Sequence, residues 1–168
     1  KHRIAWLLIL MFSATITGTI ITRYENAFAA IPLLVSFIPM LMDTGGNCGS
    51  QSSTLIIRGI ALGEIQFSDL FRVMFKEFRV SLIVGVALAL ANGIRILIMY
   101  KNAGLALVIG LSLVATIVIS KLIGCVLPLI AKKLHMDPAI MASPLIKTLV
   151  DTCSILIYFN IATQVFQL

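Results

Sequence analysis

Charge is what this sequence has least of. Only 12% of its 168 residues are Asp, Glu, Lys or Arg, against roughly 25% in an average soluble domain. A soluble fold of this length cannot hide the 60% that are hydrophobic, so lipid must be the solvent for much of the chain. Cysteine is scarce too: Cys48, Cys125 and Cys153 are odd in number, far apart and set in apolar stretches. That excludes a disulfide framework and any C-x-x-C metal spacing, and the three read as small buried hydrophobes. His2 and His135 both fall outside the apolar segments and have no second ligand at zinc spacing. The net charge of +6 forms no basic face interleaved with aromatics, which argues against a nucleic-acid partner. An enzyme would need paired acids, or a nucleophile and base, at one depth. Asp43 and Asp151 are the only candidates, so the chain is not expected to be an enzyme.

What is present is apolar length. A spanning helix needs roughly 20 apolar residues, and the chain has room for about five plus short loops in a single unit, residues 1–168. Ile4–Thr22 carries no charge and is the first span; it is too long for a signal peptide's apolar core and has no cleavage site. Phe28–Ile57 carries one charge, Asp43, and is interrupted by Pro32, Pro39 and the glycine-rich run Thr44–Ser50, so it reads as one long, broken or kinked span. Arg58–Arg79 holds seven of the twenty charged residues and reads as interfacial. Within it Phe67, Phe71, Phe75 and Phe78 recur at helical spacing, placing them on one face at headgroup level or against other helices. Val80–Tyr100 and Gly104–Ile130 are the third and fourth spans, with Arg95 and Lys121 inside them. Asp137 and Pro138 look like a helix start, and the fifth span runs from there to about Phe166. The chain begins without a methionine, as a piece of a longer protein would.

Basic residues give the orientation. With the N-terminus inside, the inner segments carry Lys1, Arg3, Arg58, Arg72, Lys76, Arg79, Lys132 and Lys133, and the outer loops only Arg23 and Lys101. An odd number of spans then puts the C-terminus outside.

Two groups of polar residues lie at membrane depth. Asp151 falls 13 residues after Pro138, roughly 20 Å along a helix rising about 1.5 Å per residue, and a carboxylate there is costly unless it meets water, a cation or a partner. It reads either as a cation site on a pore or as the partner of Lys147, one turn earlier on the same face. Asp43, Asn47 and Gln51 recur every four residues and share a face if the helix continues. Gly45, Gly46 and Gly49 beside them permit close backbone approach, or an unwound segment lining a cavity. Pore lining and a helix-packing seam both fit that pattern. Lys121 pairs with a carboxylate or snorkels inward, and Arg95 snorkels outward.

These residues resemble the membrane domain of the MgtE family of magnesium channels. The stretch from Phe37 through Pro39, Asp43, Gly45, Gly46, Asn47, Gly49 and Gln51 is similar to the family's proline-then-GGN-x-G-x-Q segment. Arg58–Ile65 is similar to its RGLALGEI, and Asp137-Pro138-Ala139, Ser143-Pro144-Leu145-Ile146 and Asp151 to its DPA, PLI and Asp pattern. The resemblance implies an all-α membrane protein of five transmembrane helices. It implies a homodimer whose central pore is lined by helices two and five, with Asp151 as the pore carboxylate. Lys147 and Ser143, one and two turns earlier, fall where the family narrows its filter, Pro144 beside them. Mg²⁺ is then the transported ion, with Mn²⁺, Co²⁺ and Ca²⁺ as alternatives, and a prokaryotic inner or plasma membrane is the location. Family members also carry cytosolic regulatory domains, including paired CBS domains, and this chain contains none. It departs from the family at Lys147, where a small or hydroxyl residue is usual. A cation there fits altered selectivity or a coupled carrier, such as a sodium–magnesium exchanger.

Overall fold

The computed structural model describes residues 2–139 and 144–167. Among these there is no strand. The long helices are α1 (His2–Arg23), α3 (Ile38–Ala61), α4 (Leu70–Tyr100), α5 (Ala103–Lys133) and α6 (Pro144–Phe166), with a short α2 (Glu25–Ala30) between the first two. Among the described residues three helical stretches are long and apolar enough to cross a membrane: Phe67–Tyr100, Ala103–Lys133 and Pro144–Phe166. Within α1 the described apolar stretch is Leu7–Arg23, and α3 carries too many polar residues and glycines to qualify by composition. Large hydrophobic side chains of α1 and α4 are widely exposed, Phe12 by 70%, Ile83 by 73% and Ile98 by 72%. Water would penalise that surface and lipid does not. The chain is a multi-pass membrane protein.

α5 is the centre of the bundle and packs on α3, α4 and α6; α3 and α6 also meet, and α1 joins chiefly through α6. The α4–α5 hairpin turns within two residues. Lys101 adopts the left-handed conformation (φ 51°) that ends α4, and the Asn102 side chain caps α5 by accepting from the Leu105 N–H at 2.9 Å. Asparagine suits that position because its short carbonyl reaches the orphan amides of the first turn.

The core is layered. Toward the start of α3, Leu34, Phe37 and Leu41 pack with Ile96, Ile109, Ile155 and Phe159. Tyr158 is fully buried among them and donates to the Leu34 carbonyl at 2.7 Å. Toward the end of α3 a smaller cluster joins Ile56, Ile60, Cys125 and Leu129. Between the two lies a layer of small and polar residues: Gly45, Gly49, Ser52 and Ser53 of α3, with Thr116, Ser120, Lys121 and Gly124 of α5.

Four sequence expectations are corrected. The second apolar segment is not one broken span. It divides into α2, a 3₁₀ turn over Pro32–Phe37, and α3, and the prolines start elements: Pro32 begins the turn and Pro39 lies in the first turn of α3. A proline lacks the N–H that a first turn leaves unpaired anyway. α3 then runs unbroken through the glycines. α4 begins at Leu70, ten residues ahead of the expected start at Val80, so the charged stretch is largely helical. Phe67 lies in a 3₁₀ turn before α4, out of register with Phe71, Phe75 and Phe78, and packs toward Ile60 and Leu129 with the Lys133 ammonium 4.2 Å above its ring. Finally, Pro138 lies in a turn and does not open α6, which is described from Pro144; the Asp137 carboxylate accepts from the Ala139 N–H at 2.9 Å, closing that turn.

Candidate ion pathway

α3 presents an uncovered polar face. Asp43, Asn47, Gln51 and Thr54 are all exposed on it, and the Asn47 amide donates to Asp43 at 3.0 Å. A groove runs along this face past Asn47, Ser50, Gln51 and Thr54 to Leu55. The opposite side of the helix is buried, so the helical period has sorted polar from small residues.

α6 meets one edge of that face. The Lys147 stem lies across Gly46, its Cγ 3.2 Å from where a Cβ would stand; the lysine itself is exposed. Asp151 follows one turn later, half-buried, and Lys147 and Asp43 both act on its carboxylate electrostatically. Lys147 and Asp151 do not form a close ion pair among the described residues. One carboxylate oxygen of Asp151, Oδ1, is buried with no hydrogen-bond partner. Asp151 lies seven residues beyond Pro144, the first described residue of α6. Ser143 lies outside the described residues.

The glycines serve contact. Cβ atoms on Gly45 would meet Thr116 at 2.7 Å and Val150 at 2.8 Å, and on Gly49 would meet Ile146 at 2.9 Å. A Cβ on Gly124 of α5 would run into the Gly49 carbonyl oxygen and Cα. Three helices thus approach at backbone distance behind the polar face, as small residues permit in membranes. Pro144 is the first described residue of α6.

A second polar group was missed by sequence reasoning in part. Lys121 pairs with Glu77 at 3.4 Å and donates to Ser52 at 3.2 Å, while Ser52 donates to the same Glu77 oxygen at 2.6 Å. All three side chains are buried, and they join α5, α4 and α3. Pairing of Lys121 with a carboxylate was one of two expectations; the partner was not named, because Glu77 was read with the interfacial charges. The available signal was the four-residue repeat Glu77, Ser81, Gly85, whose members are the small or polar buried positions of α4. Arg95 is exposed and its nearest polar contact is Met40 Sδ at 3.7 Å. Cys48 and Cys125 are buried, Cys153 partly so, and all are free thiols.

No three His, Cys, Asp or Glu side chains converge among the described residues. One chain therefore builds no metal cage from its described residues; it offers one partnerless carboxylate oxygen beside an open polar face.

Comparison with known proteins agrees in kind. A family model described as a divalent cation transporter, MgtE, matches residues 38–161. Proteins named magnesium transporter MgtE are similar along nearly the whole chain. That of Bacillus subtilis is 40% identical over 96% of it, that of Thermus thermophilus 36% over 98%, and that of Enterococcus faecalis 34% over 98%. The chain spans only 36% of the length of each. On the family match and on identities of this level across the bundle, the chain belongs to the MgtE family of divalent cation transporters.

Proposed function

We propose that this chain is the ion-conducting membrane part of a magnesium transporter. It works as a homodimer in a prokaryotic cell membrane, with the N-terminus inside, the C-terminus outside and five spans counting α1 and α3. The observation that carries the reading is Asp151 Oδ1, buried and partnerless beside the exposed Asp43, Asn47 and Gln51. A buried acceptor without a partner costs about 1–3 kcal/mol, more when charged. A cation with its water shell, held between two copies of Asp151, removes that cost.

Mg²⁺ gives up water reluctantly and prefers octahedral oxygen ligands. Two carboxylates facing across a dimer axis hold it through its waters, so size and charge select together while binding stays weak enough for release. Asn47 and Gln51 supply amide oxygens and hydrogens to those waters along the groove. Permeation runs inward down the membrane potential, worth about 2.3 kcal/mol per charge per 100 mV and twice that for a dication. Mn²⁺, Co²⁺ and Ca²⁺ are the competing ions. Cytosolic regulatory domains, of the kind the relatives' greater length accommodates, act on this part from inside. The observation favouring a sodium–magnesium exchanger instead is the exposed Lys147, a tethered ammonium one turn from the carboxylate.

The test is divalent flux into liposomes from wild type and Asp151→Ala, with and without a sodium gradient, beside size-exclusion profiles. Asp151→Ala is expected to abolish uptake while leaving assembly intact. Wild-type flux from a correctly assembled variant refutes the site, and flux that needs the gradient selects the exchanger.

A further inference from the structure

Where α3 and α5 end and α4 begins, a cavity of about 280 Å³ opens between the last turns of α3, the 62–69 connection and the first turns of α4. Its charged lining is Arg58, Lys76, Glu64 and Glu77. Glu77 is already balanced by Lys121 through one oxygen, Oε2. Arg58, Lys76 and Glu64 form no ion pair with any described residue. Two cations and one free carboxylate therefore face the cavity. The surroundings are cationic on balance, with Arg72, Arg79, Lys132 and Lys133 against Asp69 at the same end.

α4 adds a second, independent feature. Phe71, Phe75 and Phe78 are exposed by 81%, 63% and 39% on one face, next to the face that carries Arg72 and Lys76. From Val80 the helix carries no charge until Arg95, so it enters lipid within about a turn of Lys76. A free soluble anion in the cavity would leave these phenylalanines uncovered. A lipid covers both features at once.

We propose that this cavity binds an anionic glycerophospholipid with a hydroxyl-bearing headgroup, of the phosphatidylglycerol type. The phosphodiester sits between Arg58 and Lys76, the headgroup hydroxyls donate to the Glu64 carboxylate, and the acyl chains lie over Phe71 and Phe75. The mixed lining is what such a headgroup needs: cations for the phosphate and an acceptor for the hydroxyls. Basic pockets between membrane helices take anionic headgroups for this reason. The inference rests on α4 being membrane-spanning, not on the ion path.

Native mass spectrometry of the full chain in mild detergent tests it, with dioleoylphosphatidylglycerol titrated against dioleoylphosphatidylcholine. Wild type is expected to retain the anionic lipid preferentially. Two basic residues near a membrane surface correspond to a loss of about thirtyfold in lipid affinity for Arg58→Gln/Lys76→Gln; Arg23→Gln, outside the cavity, should keep it. Phe71→Ala/Phe75→Ala keeps every charge and should also weaken retention, which decides the matter if the first variant does not fold. Equal retention of the two lipids by wild type, unchanged retention in either double variant, or displacement by millimolar glycerol 3-phosphate overturns the proposal, the last by showing a soluble-anion site.

Discussion

Lys121 is an isolated charge in sequence and Glu77 one of the interfacial run, yet the two are paired in the fold. Their attraction is offset by the cost of taking both out of water, so the pair adds little net stability. Breaking it is another matter. Lys121→Met leaves Glu77 buried and uncompensated, with only Ser52 donating to it, and should destabilise the bundle by about 3–5 kcal/mol. Lys121→Met/Glu77→Leu should recover most of that loss, read as thermal unfolding in detergent; a double variant as unstable as the single one refutes the account. Lys147 is the opposite case, a charge exposed one turn from Asp151. Lys147→Thr should strengthen Mg²⁺ binding and raise flux at low Mg²⁺, because it removes a like charge from beside the incoming dication. Titration calorimetry with a flux assay decides it, and unchanged affinity with unchanged flux makes Lys147 a packing residue over Gly46. The Lys147–Asp151 relation was legible because four-residue spacing places two side chains on one face whatever the tertiary fold. The link from Lys121 to Glu77 crosses 44 residues, and no local period encodes it.

Among the elements, α3 shows what glycine placement determines. Gly45 and Gly46 are adjacent and look alike in sequence, yet one faces Thr116 and Val150 and the other only the flexible Lys147 stem. Gly45→Val should therefore cost about 1–3 kcal/mol of stability by overpacking. Gly46→Ala should be tolerated, since a lysine stem can shift by a few tenths of an ångström. Chemical denaturation of both variants separates them, and equal losses would show that the seam is looser than described. The glycine-rich run announced close approach, but left packing and unwinding both open; continuous helix through it shows that packing is the use made of it here. The start of α6 was misread for a related reason. Asp-Pro is a good helix opening in isolation, and Asp-Pro-Ala here closes its own turn instead.

For the whole molecule, no helix among the described residues covers the exposed Asp43, Asn47 and Gln51 of α3. A second copy is the economical cover, and cross-linking of the full chain in mild detergent should trap dimers; full conduction by a monomer in bilayers would remove the need for one. Composition made the all-helical membrane class legible, because no soluble arrangement hides so much apolar surface. Among the described residues three stretches pass as spans by length and composition, whereas α3 trades hydrophobicity for the residues that face the groove. The layered core has a mechanical consequence. α3 is gripped by bulky side chains at its two ends, around Phe37 and around Ile60, and between them it lies close against α5 and α6 at its glycines and is tied through Ser52 to Glu77 and Lys121. A continuous helix tied along its length moves as one rod. A twist applied where α3 meets the charged connection reaches the turn of Asp43 with little loss along the way.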